Sequence, residues 1–175
     1  MKLIQPTAAY AQQIAAYRQA FLDAGDSLDG SGALRRLADP YAWLQSCEDM
    51  RHPERVPAGY VQATQFIFVR EEDDRLVGML QVRHTLSEYL QRIAGHIGYS
   101  VHPDERRRGY AKAMLAAALP FCCQLGLERV LVSCARENEG SRRTILANGG
   151  LYENTVYDPD DQEYVERYWI LRPGP

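Results

Sequence analysis

The spacing of hydrophobic residues in the first half of the chain changes from helical to strand-like. Apolar side chains recur at helical spacing over residues 8–24 and 40–50, which predicts two amphipathic helices after a short apolar strand at 2–5. Residues 64–70 and 76–84 are instead rich in β-branched and aromatic side chains and flank a polar turn. These two segments are predicted to form an antiparallel hairpin.

The second half of the chain alternates predicted strands with predicted helices. Strands are predicted at 96–101, 128–134, 151–157 and 164–171, and helices at 109–125 and 141–148. The first of these strands stops at His102 and Pro103, because a proline cannot continue a central ladder. Strands that alternate with helices and are interrupted by hairpins indicate an α/β fold with a sheet of mixed direction.

Length and composition fit one globular domain over residues 1–175. The chain is 46% hydrophobic and 25% charged, with a formal net charge of −3. Like charges do not form the long runs that mark nucleic-acid arms or polybasic membrane patches. We therefore expect no nucleic-acid partner.

Neither a membrane segment nor a metal site is expected. The longest apolar stretch, near residues 113–123, is too short to span a bilayer, and the N-terminus does not resemble a secretion signal. The 4 cysteines and 4 histidines lack the spacing of metal ligands. The expected protein is cytoplasmic and has no membrane partner.

One segment at a predicted strand-to-helix junction carries the chemistry. Its residues are Arg106, Arg107, Arg108, Gly109, Tyr110 and Ala111. Consecutive backbone N–H groups and a helix N-terminus converge there, and such a spot binds anions. The glycine lets the backbone approach a phosphate, the small alanine leaves room for a ligand, and the arginines add positive charge. This segment is predicted to bind the diphosphate of a cofactor.

A second polar pair opens the next predicted helix, after one further strand. Its residues are Asn138 and Ser141. Asparagine and serine both cap helix N-termini, so either capping or contact with a cofactor explains them. The sequence leaves both roles open.

Together these features resemble the GCN5-related N-acetyltransferase (GNAT) superfamily. The loop of that superfamily, Gln/Arg-x-x-Gly-x-Gly/Ala, matches Arg106, Gly109 and Ala111, and the order of elements fits as well. The resemblance is loose over residues 1–59 and close over 60–157. It is nearest to a bacterial subgroup of predicted acetyltransferases.

The resemblance implies both a fold and a co-substrate. The fold is a mostly antiparallel sheet of about six or seven strands flanked by about four helices, with a V-shaped splay between the fourth and fifth strands. The co-substrate is acetyl-CoA, whose pantetheine arm would enter the splay and pair with the sheet edge. We then expect backbone contacts from Ser100 and Val101, with an N–H near them polarising the thioester carbonyl.

The acid that would protonate the departing thiolate is not evident from the sequence. Many members of the superfamily have a tyrosine seven residues after the asparagine of the second motif, but here that position is Ile145. Tyr152 and Tyr110 are alternatives. Bulk water is a third, because a thiolate whose thiol has a pKa of about 8.5 leaves readily without help.

Three residues are candidates for the base that takes the proton of the amine. His96 begins the fourth predicted strand and His84 ends the third, so both could reach the splay, and Glu88 is a carboxylate alternative. Alternation along a strand lets His96 point toward either face of the sheet. Arg83 could form a salt bridge with Glu88 or bind a substrate carboxylate.

The expected function is direct transfer of an acetyl group from acetyl-CoA to a primary amine of a small molecule or peptide. Two alternatives stay open: a non-catalytic acyl-CoA sensor, suggested by Ile145, and an interaction domain that binds no cofactor. The acceptor would be held by loops near 26–39, 86–92 and 157–163, where several acids suit a cationic amine. A homodimer through the sheet edge or the terminal hairpin is compatible with the implied fold.

Overall fold

The strands of the molecule form one mixed sheet. The computed structural model describes residues 1–171, so the last four residues of the predicted domain, 172–175, lie outside it. The strands are β1 Lys2–Ile4, β2 Ala63–Arg70, β3 Arg75–Arg83, β4 Ile97–Val101, β5 Arg129–Ala135, β6 Gly150–Asp158 and β7 Glu163–Leu171. Their order in the sheet is β1-β2-β3-β4-β5-β7-β6, and only β4 and β5 run parallel among these described strands. The predicted mixed and mostly antiparallel sheet is confirmed.

Four α-helices flank the sheet in this part of the chain. They are α1 Ala11–Ala24, α2 Pro40–Asp49, α3 Tyr110–Gln124 and α4 Glu139–Ala147. The first begins later than the spacing predicts, because Ala8–Tyr10 form a 3-10 turn and the Thr7 side chain makes no capping bond. The second begins where predicted, since the Asp39 carboxylate accepts the Tyr41 N–H at 3.0 Å.

Each face of the sheet has its own hydrophobic core. On one face, α3 and α4 bury side chains such as Met114 and Ile145 against the strands. On the opposite face, α1 and α2 bury side chains such as Tyr17 and Trp43. The sheet is therefore covered on both sides, and access to its interior depends on a gap between strands.

That gap lies between β4 and β5, which are joined at one end. The parallel pairing of the two strands matches Ile97 with Val132. Just before this pair, the His96 N–H donates to the Leu131 carbonyl at 2.7 Å, and His96 Nδ1 accepts the Leu131 N–H at 2.9 Å. Further along, β4 stays paired with β3 and β5 with β7, so the two halves of the sheet separate. The predicted V-shaped splay is confirmed.

Two glycines bring loops against the splay. Gly95 has a φ of +66°, and a Cβ there would lie 2.5 Å from the Leu131 carbonyl oxygen. Gly30 has a φ of +68°, and a Cβ there would lie 2.1 Å from the Gly98 carbonyl oxygen. Because only glycine tolerates both the conformation and the contact, these positions set the loop after α1 and the segment before β4 beside the open strands.

Candidate active site

The splay opens into a cleft of about 1030 Å³. Its walls come from β4 and β5, the loop before α3, the start of α4, the loop after α1, the segment before β4 and the β6–β7 turn. A cleft of this size has room for an extended cofactor together with a second ligand.

The loop before α3 forms a cradle of backbone N–H groups in the wall of this cleft. Arg107 has a φ of +63° and Gly109 a φ of +79°, and residues in this conformation turn successive N–H groups toward one point. A Cβ at Gly109 would meet no atom of residues 1–171 within 4 Å, so the space in front of the loop is open. Arg106, Arg107, Gly109, Tyr110 and Ala111 all line the cleft. The segment singled out by its sequence therefore faces the splay.

A buried carboxylate holds the start of this loop in place. Glu105 is 2% exposed, and its oxygens lie 2.9 Å from Arg70, 3.1 Å from Arg75 and 3.0 Å from Arg108. Burial raises the pKa of the Glu105 carboxyl, but the hydrogen bond from Arg70 and the charges of the three arginines outweigh burial and lower that pKa. Arg108 turns toward Glu105 and does not line the cleft, so its contacts differ from the cofactor contact that its sequence position predicts.

Arg106 connects the cradle to its surroundings. Its Nε donates to the Val101 carbonyl at 3.3 Å, and its Nη2 lies 2.8 Å from the Asp26 carboxylate. Its guanidinium lies over the Phe21 ring at 5.5 Å from the centroid. Because Asp26 compensates the charge of Arg106, Arg107 and the N-terminus of α3 are the less compensated positive groups of the cradle.

The backbone of β4 presents alternate N–H groups to the splay. The His102 N–H donates to the Val77 carbonyl, and the Arg83 N–H donates to the His96 carbonyl. Because an antiparallel ladder repeats every second residue, the even-numbered residues of β4, Ser100 included, bond to β3. The N–H groups of Tyr99 and Val101 therefore point toward the cleft. The backbone contact predicted for Val101 is available, whereas the Ser100 N–H is occupied by β3.

Polar side chains of α4 and β4 meet at the wall of the cleft. Asn138 Oδ1 accepts the Ser141 N–H at 3.0 Å, so Asn138 caps α4, and both residues also line the cleft. Tyr99 Oη lies 2.7 Å from Ser141 Oγ. Ile145, at the usual tyrosine position, is fully buried. The Tyr99 side chain could not be singled out from the sequence, because alternation along β4 does not show which face meets α4.

The four predicted catalytic side chains are placed away from the cleft. His84 Nε2 lies 2.9 Å from Thr64 Oγ1, Glu88 is exposed, and Tyr152 is exposed with its hydroxyl 2.8 Å from Thr155 Oγ1. His96 is 6% exposed and closes the splay through its bond with Leu131. None of the four lines the cleft within residues 1–171, and their catalytic roles stay predictions.

His96 is held in its neutral form. Burial lowers the pKa of His96 to about 4, and the positive charge of Arg83 adds to this effect. Arg83 itself donates to the carbonyls of Ala94 and Gly95 at 3.1 and 2.9 Å and lines the cleft, and no ion pair joins it to Glu88. The arginine thus fixes the end of the π-helical turn Leu90–Ala94 beside the splay.

Acidic side chains from separate loops form a second charged group in the lining of the cleft. Asp29 follows α1, while Asp158, Asp161 and Glu163 lie at the β6–β7 turn, and all four line the cleft. Burial, followed by the charges of Asp161, Asp158 and Asp29, raises the pKa of the Glu163 carboxyl. The Tyr89 hydroxyl donates to Asp158 at 3.4 Å. The loops that were predicted to hold the acceptor therefore contribute acids to one surface.

The lining of the cleft thus contains two groups of opposite charge, the basic cradle before α3 and the carboxylates of Asp29, Asp158, Asp161 and Glu163. A family model described as "Acetyltransferase (GNAT) family" matches residues 33–149, more than half of the chain. The chain belongs to the GNAT acetyltransferase family. This membership confirms the predicted superfamily and supports acetyl transfer with acetyl-CoA as the co-substrate. No curated protein sequence matches the chain.

Solved GNAT structures share the fold across nearly the whole chain. A ribosomal-protein-S5-alanine acetyltransferase from Vibrio fischeri is 17% identical, with a TM-score of 0.74 over 99% of this chain and 94% of that one. RimJ from Mycobacterium smegmatis, in complex with CoA-disulfide, is 20% identical, with a TM-score of 0.71 over 97% and 80%. The microcin C7 self-immunity acetyltransferase MccE, in complex with acetyl-CoA and AMP, is 14% identical, with a TM-score of 0.71 over 97% and 91%. At these identities the likeness shows the fold.

Residues 1–171 hold neither a helix suited to a bilayer nor a grouped set of metal ligands. Among the helices of residues 1–171, none has the length and hydropathy to cross a bilayer. In that range no three His, Cys, Asp or Glu side chains are grouped as a metal site.

Proposed function

We propose that this chain transfers an acetyl group from acetyl-CoA directly to a primary amine of a small molecule or peptide. The observation that carries the proposal is that a basic cradle and a group of carboxylates line the same cleft. Arg107, Gly109 and the N-terminus of α3 suit the diphosphate of CoA, whereas Asp158 and Glu163 suit a cationic amine. Both groups line the cleft that the splay opens, so donor and acceptor would meet beside β4.

The donor would lie along β4. Its diphosphate would occupy the cradle of the loop before α3, and its pantetheine arm would pair with the N–H groups of Val101 and Tyr99. A backbone N–H at this place also polarises the thioester carbonyl, since it stabilises the negative charge that develops on the carbonyl oxygen. Asn138 and Ser141 line the same wall, next to the arm.

The acids would serve the acceptor in two ways. Their negative charge attracts an ammonium group, and a carboxylate among them accepts the proton that the ammonium must lose. Glu163 suits the second role, because burial and the neighbouring Asp161, Asp158 and Asp29 raise its pKa. The neutral amine then attacks the carbonyl carbon, the C–N bond forms, and the C–S bond breaks.

A covalent route through the enzyme is less well supported. Cys134 lines the cleft, but burial raises the pKa of its thiol to about 11. The thiol is therefore protonated at neutral pH, and the thiolate is the nucleophilic form. This favours direct transfer from acetyl-CoA to the amine.

Calorimetric titration with acetyl-CoA tests the donor site. Gly109→Glu places bulk and negative charge against the diphosphate, so we expect binding by wild type and no binding by this variant. Gly126→Glu is the matched control: Gly126 also has a φ of +79° and no atom of the described chain within 4 Å of a Cβ, but it follows α3 and does not line the cleft. Equal binding by all three proteins would contradict the cradle assignment.

Release of CoA thiol in the presence of amines tests the transfer. An alkyl monoamine, an alkyl diamine and a peptide with a free N-terminus represent acceptors of increasing size. We expect thiol release that depends on the amine, and Glu163→Gln should lower it by about 10²-fold at neutral pH if this carboxylate takes the proton. Asp160→Asn, an exposed change in the same turn that does not line the cleft, should leave the rate near that of wild type.

A non-catalytic acyl-CoA sensor is the second candidate, because Ile145 replaces the usual acid. A sensor binds acetyl-CoA in the same titration but releases no thiol with any amine. Absence of acetyl-CoA binding by wild type would contradict both functions.

A further inference from the structure

We propose that Tyr99 is the catalytic acid of this site and that its hydroxyl donates a hydrogen to the sulfur of the departing CoA. The inference rests on the proposed acetyl transfer and supplies the role that the sequence leaves unassigned at Ile145. It depends on the position of the Tyr99 hydroxyl, on the contacts of the other tyrosines that line the cleft, and on the groups that surround Tyr99 in the wall formed by β4 and α4.

Tyr99 reaches from β4 to α4 across the cofactor side of the splay. Its Oη lies 2.7 Å from Ser141 Oγ and 3.4 Å from the Ser141 carbonyl oxygen. Tyr99, Ser141, Thr144 and Cys134 all line the cleft. The Tyr99 N–H also points into the splay, because the even-numbered residues of β4 are those bonded to β3. One residue thus places a backbone donor and a hydroxyl in the walls of the same cleft.

The other tyrosines that line the cleft have hydroxyls directed elsewhere. Tyr110 Oη accepts from Arg70 at 3.0 Å, beside the Glu105 cluster. Tyr89 Oη donates to Asp158, one of the carboxylates that line the cleft. Ile145 is fully buried and has no ionisable group. Among the described tyrosines, Tyr99 is therefore the one placed at the wall between β4 and α4.

The proposed step balances without a further reactant. The amine nitrogen bonds to the carbonyl carbon, and the electrons of the C–S bond move to sulfur as this bond breaks. The sulfur takes the hydroxyl hydrogen of Tyr99 as CoA leaves. The proton that the nitrogen loses as the amide forms reaches the Tyr99 oxygen in the same step, through the Ser141 hydroxyl or water, so no free phenolate is left and the products are the amide and CoA thiol.

The surroundings make a donor at this wall useful. Burial raises the pKa of the Tyr99 hydroxyl above its ordinary value, so it stays protonated. Burial also raises the pKa of the nearby Cys134 thiol to about 11, which indicates that a thiolate at this wall is poorly stabilised. The charged groups close to it, Arg142 on α4 and Glu166 on β7, pair with each other at 2.7 Å. A departing thiolate therefore depends on a hydrogen-bond donor such as Tyr99.

Binding of CoA at two pH values tests the contact without a known acceptor. Near pH 6.5 the CoA thiol is protonated, and near pH 9.5 it is largely thiolate. Tyr99→Phe should bind CoA like wild type near pH 6.5 and about tenfold more weakly near pH 9.5, because the phenyl ring cannot donate to the thiolate. The readout is the dissociation constant from calorimetry.

Two controls isolate the sulfur and the hydroxyl. Desulfo-CoA lacks the sulfur, so Tyr99→Phe should bind it like wild type at both pH values, which also shows that the variant is folded. Tyr10→Phe removes a hydroxyl that donates to Asp74 at 2.7 Å, outside the cleft, and should follow wild type with both ligands. The decisive quantity is the ratio of the CoA dissociation constants of Tyr99→Phe and wild type. A ratio that is the same at both pH values would overturn the proposal.

Turnover separates this inference from the proposed function. With an amine that is acetylated, Tyr99→Phe should lower kcat by about 10²-fold and leave the KM for acetyl-CoA unchanged. If the pH-dependent ratio is found but no amine releases thiol, the acetyl transfer fails while the contact with sulfur stands. If amines are acetylated while the ratio is flat, the transfer stands and the assignment of Tyr99 is wrong.

Discussion

Substitution of His96 by asparagine tests whether this histidine closes the splay or acts as a base. His96 Nδ1 accepts the Leu131 N–H at 2.9 Å, and its ring lies 6.4 Å from that of Trp169. Burial and the charge of Arg83 lower its pKa to about 4. Asparagine offers a carbonyl oxygen to the same N–H but does not titrate. The variant therefore removes the ionisation and keeps an acceptor.

The shifted pKa determines the sign of the effect on stability. Above about pH 6.5 the imidazole is neutral in the folded and the unfolded chain, so its ionisation contributes nothing. As pH falls from there toward 4, the unfolded chain binds a proton that folded His96 does not, so the free energy of unfolding of wild type falls. The full shift corresponds to about 3 kcal/mol, and about 2 kcal/mol of it is lost before the pH reaches the folded pKa.

Urea unfolding between about pH 4.5 and 7.5 measures the difference between wild type and His96→Asn. We expect wild type to lose about 2 kcal/mol relative to the variant over this range. His52→Asn, at an exposed histidine paired with Glu48, is the control for loss of a surface imidazole. A difference that does not change with pH would refute the reasoning.

Turnover of the same variant separates the two roles of His96. If it closes the splay, His96→Asn keeps kcat within a few-fold and the same pH profile. A loss of about 10²-fold in kcat, with intact folding and acetyl-CoA binding, would instead support the base that the sequence analysis predicts.

Three further predictions concern the walls of the cleft. Glu105→Gln removes the charge that holds the loop before α3, so the free energy of unfolding in urea should fall by about 2 kcal/mol. Calorimetry should also show a weaker affinity for acetyl-CoA, whereas the control Glu128→Gln, at an exposed position, should change neither quantity. An unaltered affinity of the Glu105 variant would contradict the anchoring role. Gly30→Ala forces a Cβ against the Gly98 carbonyl at a residue whose φ is positive, so the free energy of unfolding should fall by at least about 2 kcal/mol. A variant as stable as wild type would refute this expectation. Asn138→Ala should lower the free energy of unfolding by about 1 kcal/mol because the α4 cap is lost, whereas Asn138→Asp keeps the cap. If the aspartate variant is as stable as wild type but binds acetyl-CoA more weakly, Asn138 also contacts the cofactor.

Features that depend on neighbouring residues could be predicted from the sequence. The loop at 106–111 combines a glycine, a small residue and basic residues before an apolar helix, and its anion cradle follows from backbone geometry within that segment. The strands and helices agree with their predicted positions, apart from short shifts at their ends such as the 3-10 turn at Ala8–Tyr10. The resemblance that these segments carry was enough to predict the splay and the co-substrate.

Features that depend on which way a side chain turns required the folded chain. Alternation puts Tyr99 and Ser100 on opposite faces of β4, but the packing of α4 against one face places Tyr99 at the cofactor wall. Arg108 follows two cleft-lining arginines, yet the buried Glu105 draws it to the other side of the loop.

The grouping of distant residues has the same origin. His96 begins the strand beside the splay, where a catalytic role was plausible, but the tertiary structure uses its ring to bond Leu131. Asp29 and Glu163 are far apart in the chain and meet only because the loop after α1 and the β6–β7 turn close over the same cleft. Local pattern sets the backbone of each segment, whereas burial summed over all segments decides which side chains face one another.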